Sequence, residues 1–343
     1  MRKLLNCLYV LTEDAYLTLE GENVVILQGE ISLGRFPLHA LETILCFSYK
    51  GASPALLGAC CAKSIPVCFF TPYGRFLCRV TGEVRGNVFL RREQYRRAEI
   101  VPSACEIARC FLIGKIWNSR QVLLRACRDH PQRVDTVAFQ AVSDRLGQAI
   151  LQLDGAVSME TLRGLEGTAA KQYFDLFDQM VLQNREDFAF HGRSRRPPLD
   201  RINAVLSFLY TLLAHDCASA LEGVGLDPYV GYLHTDRPGR ASLALDLMEE
   251  LRPVMADRLA LTLVNTRVLS PKQFEVRENG AVFLDESGRK SVLTAWQERK
   301  RDLVQHPFLK ERMAWGLVPH VQALLLARCL RGDIEQYPPY FWK

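Results

Sequence analysis

Three short segments carry residues suited to metal-assisted chemistry. The first, 162–174, reads LRGLEGTAAKQYF. On a helix, Ala169, Ala170 and Tyr173 share the face of Glu166. A carboxylate on a small-and-aromatic face needs a compensating partner, because burying it alone is costly. Gly164 and Gly167 bracket it, and a glycine weakens a helix by ~1 kcal/mol relative to alanine, so the pair suggests close approach by another element. Taken alone, Glu166 also reads as a surface glutamate on an alanine-rich helix. The second segment, LHTDRPGR over 233–240, is a loop marked by proline, glycine and arginine. It offers His234 as a ligand, a general base or an ordinary loop residue. The third, SLALDLMEELRP over 242–253, begins on a serine N-cap signal and continues as an apolar helix. Asp246 and Glu249, three apart, project from one face, where like charges repel unless a cation lies between them. Pro253 lacks an N–H, so it signals a kink beside the carboxylates or a break between two helices.

Glu166, His234, Asp246 and Glu249 together form an oxygen-dominated set with one imidazole. It suits Mg²⁺ or Mn²⁺ better than zinc. Such an ion serves phosphoryl transfer. The eleven cysteines include no CxxC pair and sit mostly among apolar neighbours, which argues against a zinc site and for buried thiols in a reducing compartment.

Basic clusters supply the other half of a nucleic-acid site. They are Arg91-Arg92 with Arg96-Arg97, Arg193 with Arg195-Arg196, and Arg299-Lys300-Arg301. Each is a candidate phosphate contact or a solvated face. Farther along, KIWNSR places Lys115, Asn118 and Arg120 on a helix as further candidate DNA contacts. Phe111, Lys115, Asn118, Val122 and Arg125 make one stripe, which calls for a polar partner such as a helix or a ligand.

The elements that must position these residues change character along the chain. The first ~90 residues read as strands: one near the N-terminus, then 15–19 and 24–27 around a hairpin turn, 43–47, 65–70 and 76–81, with a short helix from Ser53 to Ala62. Residues 87–98 form a linker helix. Helical periodicity follows over 103–128, 134–152, 158–184, 198–222, 242–265 and 311–331, with a small hairpin around Asn279-Gly280. The expected fold class is α+β: a β-sandwich-like domain over 1–90, a linker over 91–102, and a larger all-α catalytic domain over 103–343. At 48% hydrophobic and 24% charged residues, the 343-residue chain is not a disordered one, and a net charge of +5 permits an acidic partner without requiring one. The N-terminus lacks a cleavage pattern, and the longest apolar run, 204–214, is too short to span a bilayer, so the expectation is a cytoplasmic protein without a membrane partner.

Four pieces, in this order, resemble the CRISPR-associated endonuclease/integrase family. They are KIWNSRQVLLR (115–125), LEGTAAKQYF (165–174), RPPLDRINAVLSFLY (196–210) and GLDPYVGYLHTDRPGRASLALDLMEELRP (225–253). The chain looks closest to the branch found in subtype I-C systems. The resemblance implies an N-terminal β-sandwich, a C-terminal helical domain and a homodimer. It further implies assembly with the small second CRISPR-associated protein on prespacer and CRISPR-repeat DNA. The family's metal glutamate falls on Glu166, its histidine on His234 and its third carboxylate on Glu249, where many relatives have aspartate, with Asp246 one turn before. The implied reaction joins a spacer DNA 3′-hydroxyl to the repeat by transesterification. Two other readings stand beside it: a stand-alone metal-dependent nuclease of branched or single-stranded DNA, and a non-catalytic basic DNA-binding scaffold.

Overall fold

The computed structural model describes residues 6–72, 75–80, 82, 87–156 and 158–343. It is an α+β fold with the strands first. An antiparallel meander joins β2 (Ala15–Glu20), β3 (Asn23–Gln28) and β4 (Ile31–Pro37). A second sheet has the order β1 (Asn6–Val10), β5 (Leu41–Cys46), β6 (Val67–Phe70), β7 (Phe76–Val80). Its first three strands run parallel. The β5–β6 crossover is α1 (Pro54–Ala62), whose N-cap Ser53 accepts the Leu56 N–H at 3.2 Å. Residues 1–5, with the start of the expected first strand, lie outside the described residues, as does Thr81 at the end of the expected 76–81 strand.

Side chains alternate across a strand, and here the alternation divides two cores. Ile44, Cys46, Val67 and Phe69 face Leu17, Val24 and Leu56 between the sheets, while Leu45, Phe47, Cys68 and Phe70 face the helices. Phe47 stacks on Phe70 at 5.0 Å and meets Phe208 at 6.3 Å. The second sheet is therefore packed on both faces.

The helical part comprises α2 (Val88–Glu99), α3 (Val101–Asp129), α4 (Thr136–Asp154), α5 (Met159–Asp175) and α6 (Arg201–Gly223). After a loop come α7 (Ser242–Glu249), a π-helical turn (Arg252–Asp257) and α8 (Arg258–Asn265). The helix does not end at Pro253; the π turn absorbs the missing donor, as such turns do at functional sites. The hairpin β8 (Phe274–Val276)–β9 (Val282–Leu284) falls at the Asn279-Gly280 turn. Beyond it, α9 (Glu286–Arg301), β10 (Leu303–Gln305), β11 (Arg312–Ala314) and α10 (Val318–Arg331) were not all foreseen. The expected helix over 311–331 begins only at Val318, with Pro319 pre-set in its first turn, because β11 pairs with β10. Helix α6 is long and apolar enough to cross a membrane by composition. Its Val205, Leu209 and Leu213 are fully buried in the core.

Candidate metal centre

Three helices hold the loop that carries His234. From α2, the buried Gln94 donates to the carbonyls of Asp227 (2.7 Å) and Val230 (3.0 Å) and accepts from the Asp227 N–H (2.9 Å). From α5, Arg163 donates to the Leu233 carbonyl at 2.8 Å. From α7, Asp246 accepts three successive backbone N–H groups, those of Tyr232 (2.6 Å), Leu233 (2.9 Å) and His234 (3.0 Å). Gly231 lets the loop lie on α7: a Cβ there would stand 2.8 Å from Ser242 Cβ and 2.9 Å from the Asp246 carboxylate.

Asp246 also faces the imidazole, with Oδ1 2.6 Å from His234 Nδ1. A carboxylate only accepts, so Nδ1 carries the hydrogen and Nε2 is left toward Glu249, 3.9 Å from its Oε1. Glu249, 2% exposed, takes Arg252 Nη1 at 3.0 Å on Oε1 and Lys115 Nζ at 2.7 Å on Oε2. Burial pushes its carboxyl up, but Arg252, Lys115 and His234 together outweigh that and hold it down at about 2. Lys115 also pairs with Glu166 from α5. Glu166, His234 and Glu249 thus come together despite their separation in sequence.

Lys115, Glu166, Tyr173, Arg195, Tyr210, Arg252 and Asp257 line a cavity of about 30 Å³. At its far wall, Asp257 accepts hydrogen bonds from Tyr210 (2.6 Å) and Tyr173 (3.1 Å), and burial raises its carboxyl to about 6. Among the described residues no group of three or more His, Cys, Asp or Glu is set for an ion; the Lys115 ammonium stands between Glu166 and Glu249. The donor set nevertheless fits a hard cation. Buried Glu249 turns Oε2 onto the Lys115 ammonium at 2.7 Å, so that position already holds a positive charge, and an imidazole oriented by a carboxylate is the usual preparation of a histidine ligand.

Other expectations need correcting. Gly164 and Gly167 meet no close neighbour: a Cβ at either has nothing within 4 Å. Asn118, read as a DNA contact, is fully buried. It donates to the carbonyls of Glu250 (2.6 Å) and Tyr340 (2.8 Å) and accepts from the Trp342 N–H (2.8 Å). The polar partner of its stripe is the C-terminal segment, with Phe111 on Tyr337 and Arg125 over Trp342. Arg120 turns its Nε to the Ser143 carbonyl of α4 at 3.0 Å. Of the cluster 299–301, Lys300 is structural, 3% exposed and paired with Asp216 at 3.0 Å, and Arg299 pairs with Asp302 at 3.1 Å, while Arg301 is exposed. Arg193 donates to Asn203 at 2.6 Å, while Arg195 and Arg196 are exposed. Arg96 and Arg97 are held by Glu93. Arg92 is exposed, and Arg91 lines a separate cleft with Lys63 and Tyr95. Sequence reasoning missed Arg163, Tyr210, Arg252, Asp257 and Gly231. Only an arginine, a tyrosine or an aspartate on an otherwise apolar helix could have flagged the middle three.

A family profile described as CRISPR associated protein Cas1 matches residues 8–298. The chain is 49% identical over 343 residues to "CRISPR-associated endonuclease Cas1 1" of Chlorobaculum tepidum, covering all of both chains. It is 52% identical over 347 residues to "CRISPR-associated endonuclease Cas1 2" of Rhodospirillum rubrum, again end to end. Among solved structures, a casposase bound to integration product matches 99% of this chain and 95% of its own at a TM-score of 0.85 and 22% identity. A Cas1 protein from Thermotoga maritima matches 98% of this chain and all of its own at 0.81 and 22%. At that identity the structural likeness speaks for the fold.

Proposed function

The chain belongs to the Cas1 family, and from that premise we propose that it is the metal-dependent endonuclease and integrase of CRISPR adaptation. The observation that carries the reading is the meeting of Glu166, His234 and Glu249, with Asp246 fixing the tautomer of the imidazole. A buried acidic cluster backed by exposed Arg195 and Arg196 is not what a passive scaffold needs.

Glu166, His234 Nε2 and Glu249 would hold Mg²⁺ or Mn²⁺, which when bound supplies Lewis-acid stabilisation of a transferring phosphate. The chain's own residues do the remainder. Asp246 keeps Nε2 free of hydrogen. Arg252 fixes the Glu249 carboxylate. Arg195, at the cavity mouth, meets phosphate, and the open space over Gly164 and Gly167 leaves room for a strand. The bonds balance without water: the 3′-oxygen of the spacer end bonds to a repeat phosphorus, the bond to that strand's own 3′-oxygen breaks, and the proton passes to the leaving oxygen. Positioning and charge therefore dominate.

The reading extends to partners. A solved neighbour is a Cas6-RT-Cas1–Cas2 complex, which supports a Cas2 protein as the small partner here, with prespacer and repeat DNA as substrates. Homodimerisation falls to the strand-rich unit, 1–90, joined by 91–102 to the catalytic unit, 103–343. Its edge strand β4 exposes Ile31 (69%), Leu33 (47%) and Phe36 (39%), apolar surface that an edge needs covered. The cytoplasm is the compartment where such DNA and reduced cysteines meet. The finer assignment, to the subtype I-C branch, rests on the sequence resemblance.

Incubating the full chain with its Cas2 partner, a 3′-OH duplex and a supercoiled repeat plasmid, with Mn²⁺ or Mg²⁺, should give a joined product. Cutting without joining would favour a plain nuclease, and no reaction would favour a scaffold.

A further inference from the structure

Beside the candidate metal set, the cavity that Glu166 lines holds a buried carboxylate that the set does not use, Asp257. Asp257 lies eight residues after Glu249. On a continuous α-helix, at roughly 100° per residue, that spacing turns it about 80° away. The π turn Arg252–Asp257 winds more slowly and returns Asp257 toward the side of Glu249 and Arg252.

Asp257 is 2% exposed, and each of its oxygens receives a phenol: Tyr210 on Oδ1 at 2.6 Å, Tyr173 on Oδ2 at 3.1 Å. A tyrosine hydroxyl has one hydrogen to give. With that hydrogen directed at Asp257, the phenol oxygens present only lone pairs to anything else in the cavity. Tyr210 is the less buried of the two. Its ring is fixed between the guanidinium groups of Arg193, 5.1 Å from the centroid, and Arg252, 4.8 Å away. The space the phenols share with Glu166 and Lys115, about 30 Å³, suits a water or one hydroxyl-sized group.

We propose that Asp257 makes Tyr210 a dedicated hydrogen-bond acceptor that receives a hydroxyl donor, the 3′-hydroxyl of a DNA end, beside Glu166. This rests on the integrase reading, and it adds how a reactive end is told from a blocked one. A 3′-hydroxyl donates to Tyr210. A 3′-hydrogen cannot. A 3′-phosphate brings acceptor oxygens toward an acceptor. Asp257 is a positioning residue, acting through the tyrosine and not touching the DNA.

The test uses the full chain with its Cas2 partner, in EDTA so that no strand is consumed. Fluorescence anisotropy compares three duplexes identical except for a 3′-hydroxyl, 3′-hydrogen or 3′-phosphate. One net hydrogen bond predicts about fivefold tighter binding of the hydroxyl end than of the hydrogen end, with the phosphate end no better than the hydrogen end. Tyr210→Phe should bring the first ratio to near one, and Asp257→Asn, which keeps a single acceptor oxygen for two phenols, should lower that ratio and, by releasing a phenol hydrogen, improve the phosphate end. A wild-type ratio near one, or a ratio unchanged in Tyr210→Phe, overturns the proposal. If Asp257→Asn fails to fold by thermal melt, Tyr210→Phe alone decides. Strand transfer by the wild type with Mn²⁺, run in parallel, tests the integrase reading itself. A preserved hydroxyl preference without joining would sink that reading and leave the pocket standing as a site for hydroxyl ends.

Discussion

Asp246 Oδ1 lies 2.6 Å from His234 Nδ1, and the same carboxylate gathers the backbone N–H groups of Tyr232, Leu233 and His234. Both oxygens are committed to the loop, so Asp246 acts through the histidine. In Asp246→Asn, the amide N–H would face a donor, freeing the ring. Mn²⁺ affinity, by titration calorimetry or electron paramagnetic resonance, should fall about 10- to 100-fold. Glu249→Gln, which alters a ligand itself, should lose more. If Asp246→Asn abolishes binding and Glu249→Gln spares it, the two assignments exchange.

Lys115 forms ion pairs with both Glu166 and Glu249. Removing one partner of a buried pair strands the other charge, which typically costs several kcal/mol. Lys115→Met should therefore melt lower in EDTA than the wild type. It should also bind Mn²⁺ more tightly, because no ammonium competes for the carboxylates, and so show a larger thermal shift on adding the ion. Equal or weaker Mn²⁺ binding in the variant would show that Lys115 does not compete for that position.

How far the sequence reached follows from the range of each signal. The turn at Glu20–Asn23, the Ser53 cap and the 3.6-residue stripes of α3, α4 and α6 are local, and they are where the structure has them, whereas the helix expected over 158–184 stops at Asp175. Strand β4 was not foreseen because ISLGRFP is exposed along nearly its whole length and shows no alternation. Helix α9 was hidden by its charge. The spacing of Asp246 and Glu249 announced a shared helix face, yet that Asp246 is taken up by the loop while Glu249 meets Lys115 depends on a loop held from α2 and α5. Asn118 misled for the same reason. A polar residue on an apolar stripe signals a partner, but not that the partner is the chain's own C-terminal segment.

Asn118 satisfies the Glu250 and Tyr340 carbonyls and the Trp342 N–H, all buried. Leaving buried backbone groups unpaired costs about 1–3 kcal/mol each, partly relieved by water. Asn118→Ala should lower unfolding free energy by about 2–4 kcal/mol in a urea melt and leave the DNA affinity of the folded protein unchanged. A stable variant with clearly weaker DNA binding would restore it as a DNA contact.

His215 sits at the joint between the second sheet and α6, edge-on to Phe70 at 4.9 Å and against Phe76 at 4.6 Å. Burial, aided by Arg79, depresses its imidazole to about 3. A group depressed in the fold takes up protons more readily when unfolded, so the neutral ring's contribution is intact above about 6.5 and is lost as pH falls toward 3. At pH 5.5 the loss should reach about 1 kcal/mol. His215→Gln should melt with a shallower pH dependence between 6.5 and 4.5. An identical slope in the two proteins would assign the acid sensitivity to other groups.

The two arginine pairs should separate binding from chemistry. Arg195 lines the cavity of Lys115 and Glu166, with Arg196 beside it in sequence, whereas Arg91 lines another cleft, with Arg92 exposed next to it on α2. Each arginine that pairs with a phosphate contributes about 0.9 to the slope of log affinity against log salt for duplex DNA. Replacing all four with glutamine should flatten the slope by about two to four. Within that set, Arg91→Gln with Arg92→Gln should weaken binding and leave the joining rate at saturating DNA near the wild-type value, because those residues stand away from the reacting end. Arg195→Gln with Arg196→Gln should lower both, because Arg195 would set the phosphate beside Glu166. Filter binding from 50 to 300 mM KCl, paired with single-turnover strand transfer, separates the outcomes. A full quadruple variant with an unchanged slope would move the DNA path to another face of the protein.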